Sequence, residues 1–300
     1  MAIILVKYPE QANAITHAGV FHADDVFASV FLEKYWGMLK LYRTFDVPKD
    51  TEALIFDIGF GQFDHHQKDG NGMRDNGIMY ASFGLLWKRY GKDYLRNIIQ
   101  RRYIDYVWRL FDKNFVQPID AADCGQYPHP DRIPVISVTG IIKGFNPRWD
   151  EGEIFNERFL KAFECASTIF DNALQDAISK AKAKDVVNKA INHYKDEKVL
   201  VLEQFASWHD YVLSSSKAKE MLYIVFPSAR GGYNVHVIPT AFGNNNPRKP
   251  FPEKWWGLEG KQLEKACEVE GAIFCHPKGF IAATKTLEGA LKFANKAVDA

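Results

Sequence analysis

Two short stretches of this chain, residues 17–25 and 57–67, place acid and imidazole groups directly after apolar runs. The first reads H-A-G-V-F-H-A-D-D and the second reads D-I-G-F-G-Q-F-D-H-H-Q. Packing does not explain this pattern, because carboxylates and imidazoles are buried in proteins only when they are paired or bind a metal. Mixed imidazole and carboxylate ligands suit manganese, iron, cobalt or zinc, so the two stretches predict a metal site.

Strands and helices alternate through the first part of the chain. Strands are predicted to end at residue 17 and to span 41–45 and 53–56, and helices to span 24–31, 78–90 and 94–111. This alternation predicts an open, mostly parallel α/β sheet. Because ligands collect at the carboxyl ends of strands in such sheets, we expect His17 and Asp57 to lie at one edge.

A long helix and a second domain follow. Residues 153–194 lack proline and carry apolar residues at every third or fourth position, which predicts one long helix. Strands are then predicted at 199–202, 222–226 and 233–238, followed by two short helices around Leu263 and Leu291. We therefore predict an N-terminal domain of residues 1–194 that includes the connecting helix, and a smaller α/β domain of residues 195–300.

Composition narrows the class of protein. The 38 Lys and Arg against 37 Asp and Glu give a net charge of +1, so no broad basic surface is expected for binding a long duplex. The four cysteines show no C-x-x-C spacing, which indicates neither a zinc ribbon nor a disulfide framework. No apolar run is long enough for a signal segment or a membrane span. We expect a cytoplasmic enzyme with no membrane partner.

The motifs of the two stretches resemble those of the DHH phosphoesterase superfamily, and within it those of the melanocyte-proliferating-gene family of nuclease-like proteins. The likeness rests on H-x-G-x-F-H-x-D-D, D-I-G and D-H-H-Q, with D-A-A-D-C-G at 120–125 and G-F-I at 279–281 followed by Lys285 and Thr286. The resemblance implies a DHH-type metal-binding catalytic domain followed by a substrate-binding domain. One departure is that Ala282 and Ala283 stand where relatives of that family carry two glycines.

The resemblance also implies two divalent metal ions, and manganese is the metal we expect. The first ion is predicted to bind His17, His22 and Asp57, and the second to bind Asp24, Asp57, His65 and Asp123. In this scheme Asp57 bridges the pair. Asp120 competes with Asp123 for the ligand role, and Asp123 is favoured because Gly125 follows it in a turn. Asp25 is interpreted as a helix-capping residue.

Two residues are assigned to catalysis. His66 is predicted to bind phosphate or to protonate the leaving oxygen, and Asp64 to orient His65 or His66. The candidates for phosphate binding in the C-terminal domain are Arg230, Arg248, Lys249, His276 and Lys285. Arginine suits bidentate contact with phosphate, and lysine acts on it as a point charge.

The leading functional prediction is metal-dependent hydrolysis of phosphodiester bonds, by an exonuclease on short single-stranded RNA or DNA. A cleft between two domains suits a short, flexible strand without needing a basic surface. Two alternatives stay open: a small-molecule phosphohydrolase for pyrophosphate or a cyclic dinucleotide, and a metal-stabilised binding protein with little turnover. Formation of a homo-oligomer also stays open.

Overall fold

The computed structural model describes residues 2–126, 135–193, 198–244 and 246–300. The chain divides into two compact units, Met1–Ile178 and Ser179–Ala300, which we call the N-terminal unit and the C-terminal unit. The domain boundary predicted between residues 194 and 195 lies outside the described residues.

A four-stranded parallel sheet forms the centre of the N-terminal unit. Its strands are β1 (Ile3–Leu5), β2 (Ala14–His17), β3 (Leu39–Thr44) and β4 (Leu54–Ile55), in the order β1-β3-β2-β4. Ala14 of β2 pairs with Leu41 of β3 on one side and with Leu54 of β4 on the other. All three neighbouring pairs are parallel, so the predicted parallel sheet is confirmed.

The described part of the N-terminal unit contains five helices before the long one: α1 (Ala23–Trp36), α2 (Ser82–Arg96), α3 (Ile104–Phe111), α4 (Gln117–Asp123) and α5 (Val138–Lys143), of which α1 packs on β3. The first ten residues of α1 are all buried, as expected for a helix that lies inside the fold.

The break predicted between the second and third helices falls later than expected. It lies beyond Arg96, because the backbone N–H of Asn97 turns back onto the carbonyls of Tyr94 and Leu95 and ends α2.

The predicted long helix is confirmed as α6 (Phe155–His193). Phe159, Phe163 and Phe170 on its buried side are completely covered, and Phe170 packs 5.1 Å from Phe111 between ring centroids. No helix in the described part of the chain, α6 included, is long and apolar enough to cross a membrane.

A five-stranded mixed sheet forms the C-terminal unit. Its strands are β5 (Val199–Val201), β6 (Tyr223–Pro227), β7 (Tyr233–Val237), β8 (Ala272–Cys275) and β9 (Ile281–Thr284), in the order β5-β6-β7-β9-β8. Helices α7 (His209–Ser214), α8 (Gly260–Cys267) and α9 (Leu287–Asp299) complete it, and α9 packs on the sheet. The sequence did not predict β8 and β9, because each has only four residues and β9 contains two alanines, which have low strand propensity.

Candidate metal centre

Four chain segments of the N-terminal unit end around one group of acids and imidazoles. His17 is the last residue of β2, Asp57 follows shortly after β4, Asp24 lies in the first turn of α1, and Asp123 ends α4. Parallel strands bring their carboxyl ends to one edge of the sheet, which is why His17 and Asp57 meet there. The side chains predicted from the two motifs therefore converge in one place.

Asp57 lies at the centre of this group. Its backbone has φ 56°, the left-handed region, and its side chain is almost completely buried. One carboxylate oxygen, Oδ1, accepts a hydrogen bond of 3.1 Å from Ser82 Oγ and lies 3.4 Å from His65 Nδ1. The other, Oδ2, lies 3.3 Å from His17 Nε2. Burial by itself would raise the pKa of Asp57, but the neighbouring His17, together with His65 and His66, holds it below its usual value.

Asp25 faces the same imidazole. Its Oδ2 lies 3.3 Å from His17 Nε2, while its Oδ1 accepts a hydrogen bond of 2.8 Å from the backbone N–H of His22. Asp25 therefore caps α1 with one oxygen, as interpreted from the sequence, and faces the metal centre with the other. Burial opposes a charge on His17, but the two carboxylates overcome this and raise its pKa to about 10.

A second group joins Asp24, His65 and Asp123. His65 Nε2 lies 2.9 Å from Asp123 Oδ2. Asp24 accepts hydrogen bonds from the backbone N–H groups of Ser82 and Phe83, at 2.9 and 2.8 Å, so it also covers the start of α2. Burial, followed by repulsion from Asp57 and Asp123, raises the pKa of Asp24 well above its usual value. Together with Asp25 and Asp57, Asp24 and Asp123 make four acids in a small volume. Such a group requires a compensating positive charge.

His66 and Asp64 form a separate pair at the edge of the group. The Nδ1 of His66 lies 2.7 Å from Asp64 Oδ1, and the second oxygen of Asp64 accepts a hydrogen bond of 2.6 Å from the backbone N–H of Phe60. The His66 side chain is 50% exposed. With Nδ1–H donating to Asp64, Nε2 of His66 is left to meet a ligand. Of the two histidines that Asp64 was predicted to orient, it contacts His66.

His22 lies farther out than the sequence scheme placed it. Its side chain is 48% exposed, and Nδ1 is 3.9 Å from Asp123 Oδ1. Its ring centroid is 5.9 Å from that of His17. In this geometry Asp25, and not His22, is the third residue beside His17 and Asp57.

Three sets of side chains in the described part of the chain bring their ligand atoms within 4.8 Å of one another. They are Asp57 with Asp64, His65 and His66; His17 with Asp25 and Asp57; and Asp24 with His65 and Asp123. The Oδ2 atoms of Asp25 and Asp57 are buried, and no described residue donates a hydrogen bond to them. Buried acceptors without donors, mixed with imidazoles, fit divalent ions such as manganese.

Asp120 has different partners from Asp123. Its Oδ2 lies 2.8 Å from Arg74 Nη2, and its Oδ1 accepts a hydrogen bond of 3.1 Å from the backbone N–H of Gly84. Arg74 also donates two hydrogen bonds to Asp112. Burial raises the pKa of Asp120 to about 7 against the opposing charge of Arg74. Asp120 thus ties α4 to α2 behind the metal centre and lies in none of the three sets.

The candidate metal centre opens into a cleft of about 840 Å³, lined by residues that include His22, His65, His66 and Asp123. This volume is within the range of ligand-binding sites. Cys124 also lines the cleft, but burial raises the pKa of its thiol to about 12. A thiolate nucleophile is therefore not available there near neutral pH, which argues against covalent cysteine chemistry.

The five candidates for phosphate binding are dispersed over the C-terminal unit. Arg248 donates hydrogen bonds of 2.6 and 2.8 Å to two backbone carbonyls, and Lys249 donates one of 2.7 Å to a third. Arg230, in the turn between β6 and β7, and Lys285, just after β9, are exposed near one end of the sheet. His276 lies near the other end, with its ring 4.4 Å from that of Phe280.

A parallel α/β sheet with imidazole and carboxylate groups at its carboxyl edge defines the class: α/β proteins with a candidate metal centre. Residues 13–298 match the family model MYG1_exonuc, described as "Uncharacterised protein family (UPF0160)". The chain belongs to this family. The recognition made from the sequence motifs is thereby confirmed.

Relatives from fungi and animals align over nearly the whole chain. The MYG1 protein YER156C of Saccharomyces cerevisiae is 31% identical over 93% of each chain, and the MYG1 protein C694.04c of Schizosaccharomyces pombe is 28% identical over 95% of this chain and 96% of its own. The MYG1 exonuclease of Homo sapiens is 26% identical over 93% of this chain and 84% of its own. A solved pGpG-specific phosphodiesterase of Vibrio cholerae covers 97% of this chain and 99% of its own, but at 8% identity and a TM-score of 0.26 it carries no argument.

Proposed function

We propose that this protein hydrolyses phosphodiester bonds with the help of divalent metal ions, as an exonuclease on short single-stranded RNA or DNA. The observation that carries the proposal is the position of Asp57, which belongs to two of the three sets of metal-ligand atoms. Membership of a family with relatives named exonucleases supports the same reaction.

The side chains that would hold the ions divide into two sets around Asp57. One set is His17, Asp25 and Asp57, and the other is Asp24, His65 and Asp123, with His22 close to Asp123. His65 links the second set to Asp57, because its Nδ1 lies 3.4 Å from Asp57 Oδ1. A pair of such ions, when bound, stabilises the negative charge that develops on the phosphoryl oxygens. Asp120 is left out of this scheme, since Arg74 already neutralises it. We retain manganese as the proposed metal, because both sets mix nitrogen and oxygen ligands.

His66 is the proposed acid. Asp64 fixes its ring through Nδ1, so that Nε2 can carry a proton to the leaving oxygen of the substrate. The half-exposed position of His66 in the cleft wall lets it meet a phosphodiester, whereas the less exposed His17 and His65 face carboxylates. The same Nε2 would bind a phosphate oxygen if the leaving group needs no proton.

The C-terminal unit is proposed to bind more of the substrate strand. Arg230, Lys285 and His276 are the candidates that remain for this role, and the first two are exposed close to one end of the mixed sheet. Arg248 and Lys249 already donate to backbone carbonyls within the unit, so we expect both to contribute to its stability.

The test is to incubate manganese-loaded protein in parallel with 5′-labelled oligonucleotides, pyrophosphate and cyclic dinucleotides. We expect stepwise shortening of the oligonucleotides and loss of that activity with EDTA. Turnover of pyrophosphate or cyclic dinucleotides alone would replace the exonuclease with a small-molecule phosphohydrolase. Metal binding without any turnover would identify a metal-stabilised binding protein and overturn the proposal.

A matched pair of variants tests the metal centre itself. Asp57→Ala should empty both sites, because its carboxylate belongs to the first set and contacts His65 of the second, while Asp105→Ala on the exposed face of α3 should leave the metal content unchanged. Elemental analysis and circular dichroism measure metal content and folding together. A folded Asp57→Ala protein that keeps two ions per chain would rule out the shared position.

A further inference from the structure

We propose that the cleft of the N-terminal unit holds a second anionic subsite, formed by Lys68 and Lys143, which binds the terminal phosphate of a short oligonucleotide. The inference rests on the proposed function, since the scissile phosphate would lie at the metal centre. Both lysines line the same cleft as His65 and His66. The subsite would make a phosphorylated end a determinant of specificity.

The two lysines are available for a ligand. Both are exposed, and neither forms an ion pair with any residue in the part of the chain that the structure describes. Two other cations of this unit are engaged in ion pairs: Lys34 pairs with Asp171 at 2.8 Å, and Arg74 is held between Asp112 and Asp120. Lys68 and Lys143 are therefore cations that the fold leaves facing the cleft.

The backbone of Lys143 is held in place relative to the metal centre. Lys143 ends α5, which packs against α1 and is capped by Ser137, whose Oγ accepts a hydrogen bond of 3.0 Å from the backbone N–H of Gly140. Just beyond it, the side-chain amide of Asn146 accepts a hydrogen bond of 3.0 Å from the backbone N–H of Phe21 and donates one of 2.8 Å to its carbonyl. Phe21 directly precedes His22, so this clamp joins the lysine segment to the loop that leads into α1.

Lys68 reaches the cleft from the other motif. It follows the His65-His66 pair by two residues, and the loop after it is fixed by Asn71, whose side-chain amide donates a hydrogen bond of 2.8 Å to the carbonyl of Asp64. The two lysines thus come from segments that are each tied to the metal centre.

The charge at this part of the cleft favours a phosphomonoester. Asp69 also lines the cleft, so Lys68, Lys143 and Asp69 together carry a formal charge of 2 − 1 = +1. An internal phosphodiester carries one negative charge, whereas a terminal phosphate carries about 1.5 to 2 near neutral pH. Because Coulomb attraction grows with the charge on the ligand, a terminal phosphate gains more from two ammonium groups than an internal phosphate does.

The test compares three dinucleotides, ApA, pApA and ApAp, which differ only in the presence and the end of the terminal phosphate. Hydrolysis-resistant phosphorothioate versions are titrated calorimetrically into manganese-loaded protein, and turnover of the normal versions is measured alongside. The variant is Lys68→Gln/Lys143→Gln. Its matched control is Lys49→Gln/Lys161→Gln, which removes two exposed lysines that do not line the cleft.

Wild-type protein should bind at least one phosphorylated dinucleotide more tightly than ApA. The double variant should bind that ligand about 10- to 100-fold more weakly, as expected when hydrogen bonds to a charged group are removed. Its affinity for ApA should be unchanged. Whichever of pApA and ApAp shows the preference identifies the end that is bound. Equal binding of all three dinucleotides, or a preference that survives in the double variant, would overturn the subsite.

Failure of the subsite and failure of the proposed function give different results. Turnover of all three dinucleotides at equal rates in wild type and double variant would reject the subsite and leave the phosphodiesterase intact. A lysine-dependent preference in binding with no turnover of any dinucleotide would support the subsite and reject the hydrolase.

Discussion

The hydroxyl of Ser82 donates a hydrogen bond of 3.1 Å to Oδ1 of Asp57. Ser82 is the first residue of α2 and is completely buried, and its Oγ also lies 3.4 Å from His65 Nδ1. A neutral hydroxyl that contacts a carboxylate and an imidazole at once fixes the orientation of both.

We therefore predict that Ser82→Ala weakens manganese binding about 10- to 100-fold while leaving the protein folded, the usual effect of removing a partner of a metal ligand. The control is Ser214→Ala in α7, where the hydroxyl donates to the carbonyls of Asp210 and Tyr211 in its own helix. Metal affinity is measured by competition with a fluorescent chelator. Unchanged affinity in Ser82→Ala would show that Asp57 keeps its orientation without the hydroxyl.

In the metal-free protein, the contribution of His17 to the free energy of unfolding should depend on pH. Burial lowers the pKa of His17, but Asp25 and Asp57 more than compensate, raising it from 6.5 to about 10. A group whose pKa is higher in the folded chain than in the unfolded chain stabilises the fold when it is protonated. For His17 this stabilisation is fully present below about pH 6.5 and is lost as the pH rises through about 10.

The difference in free energy of unfolding between wild type and His17→Gln should accordingly shrink from about pH 6 to about pH 10. Urea denaturation in EDTA at several pH values measures it. A difference that stays constant across this range would mean that His17 is not charged next to its two carboxylates.

Replacement of His66 separates metal binding from proton transfer. Because His66 is half exposed and paired with Asp64, we expect His66→Gln to keep its ions while turnover falls by about 10²- to 10⁴-fold. A p-nitrophenyl diester has a leaving group that needs no proton, so its hydrolysis should fall less. Loss of metal in His66→Gln would instead make this residue a ligand, and His193→Gln on α6 is the control.

Gly84 is predicted to be irreplaceable for steric reasons. A Cβ at this position would lie 1.8 Å from Asp120 Oδ2 and 2.8 Å from Arg74 Nη2, so even alanine would separate the buried pair. We expect Gly84→Ala to lower the free energy of unfolding by about 3 kcal/mol or more, since breaking a buried ion pair costs that much. Gly61→Ala, where a Cβ meets no atom within 4 Å, should change it by less than about 0.5 kcal/mol. Equal stability of the two variants by urea denaturation would contradict this steric argument.

Arg248 should act on the stability of the C-terminal unit. Its guanidinium donates to the carbonyls of Ala218 and Met221, and Arg248→Ala would leave both acceptors without these bonds. We expect a loss of about 1–3 kcal/mol in the free energy of unfolding, with the Michaelis constant for oligonucleotides unchanged. A raised Michaelis constant at unchanged stability would return Arg248 to substrate binding. The exposed Arg230→Ala serves as the comparison.

Local motifs made part of the site predictable from the sequence. His17 and Asp57 follow apolar runs, and parallel strands that end at one edge bring such residues together. The pairing of His66 with Asp64 is likewise local, since the two residues are separated by one position. The spacing of apolar residues is also a local signal. It allowed prediction of the parallel sheet, of α6 and of the two-part α/β organisation.

Contacts between distant segments could not be predicted in this way. Asp25 looks like an ordinary acid at a helix start, and only the folded chain shows its second oxygen facing His17. Ser82 gives no signal, since a serine before an apolar helix is common. Arg74 meets Asp120 across 46 positions, and single-sequence spacing carries no information about such a pair.

The left-handed backbone of Asp57 sets a limit for engineering. A residue other than glycine at φ 56° costs of order 1–3 kcal/mol, and the buried carboxylate adds a desolvation cost. Glycine would relieve both at once. A library selected for heat tolerance alone would therefore tend to discard this residue, and the trade-off between stability and activity would be concentrated at a single position. Efforts to stabilise the protein should hold position 57 fixed.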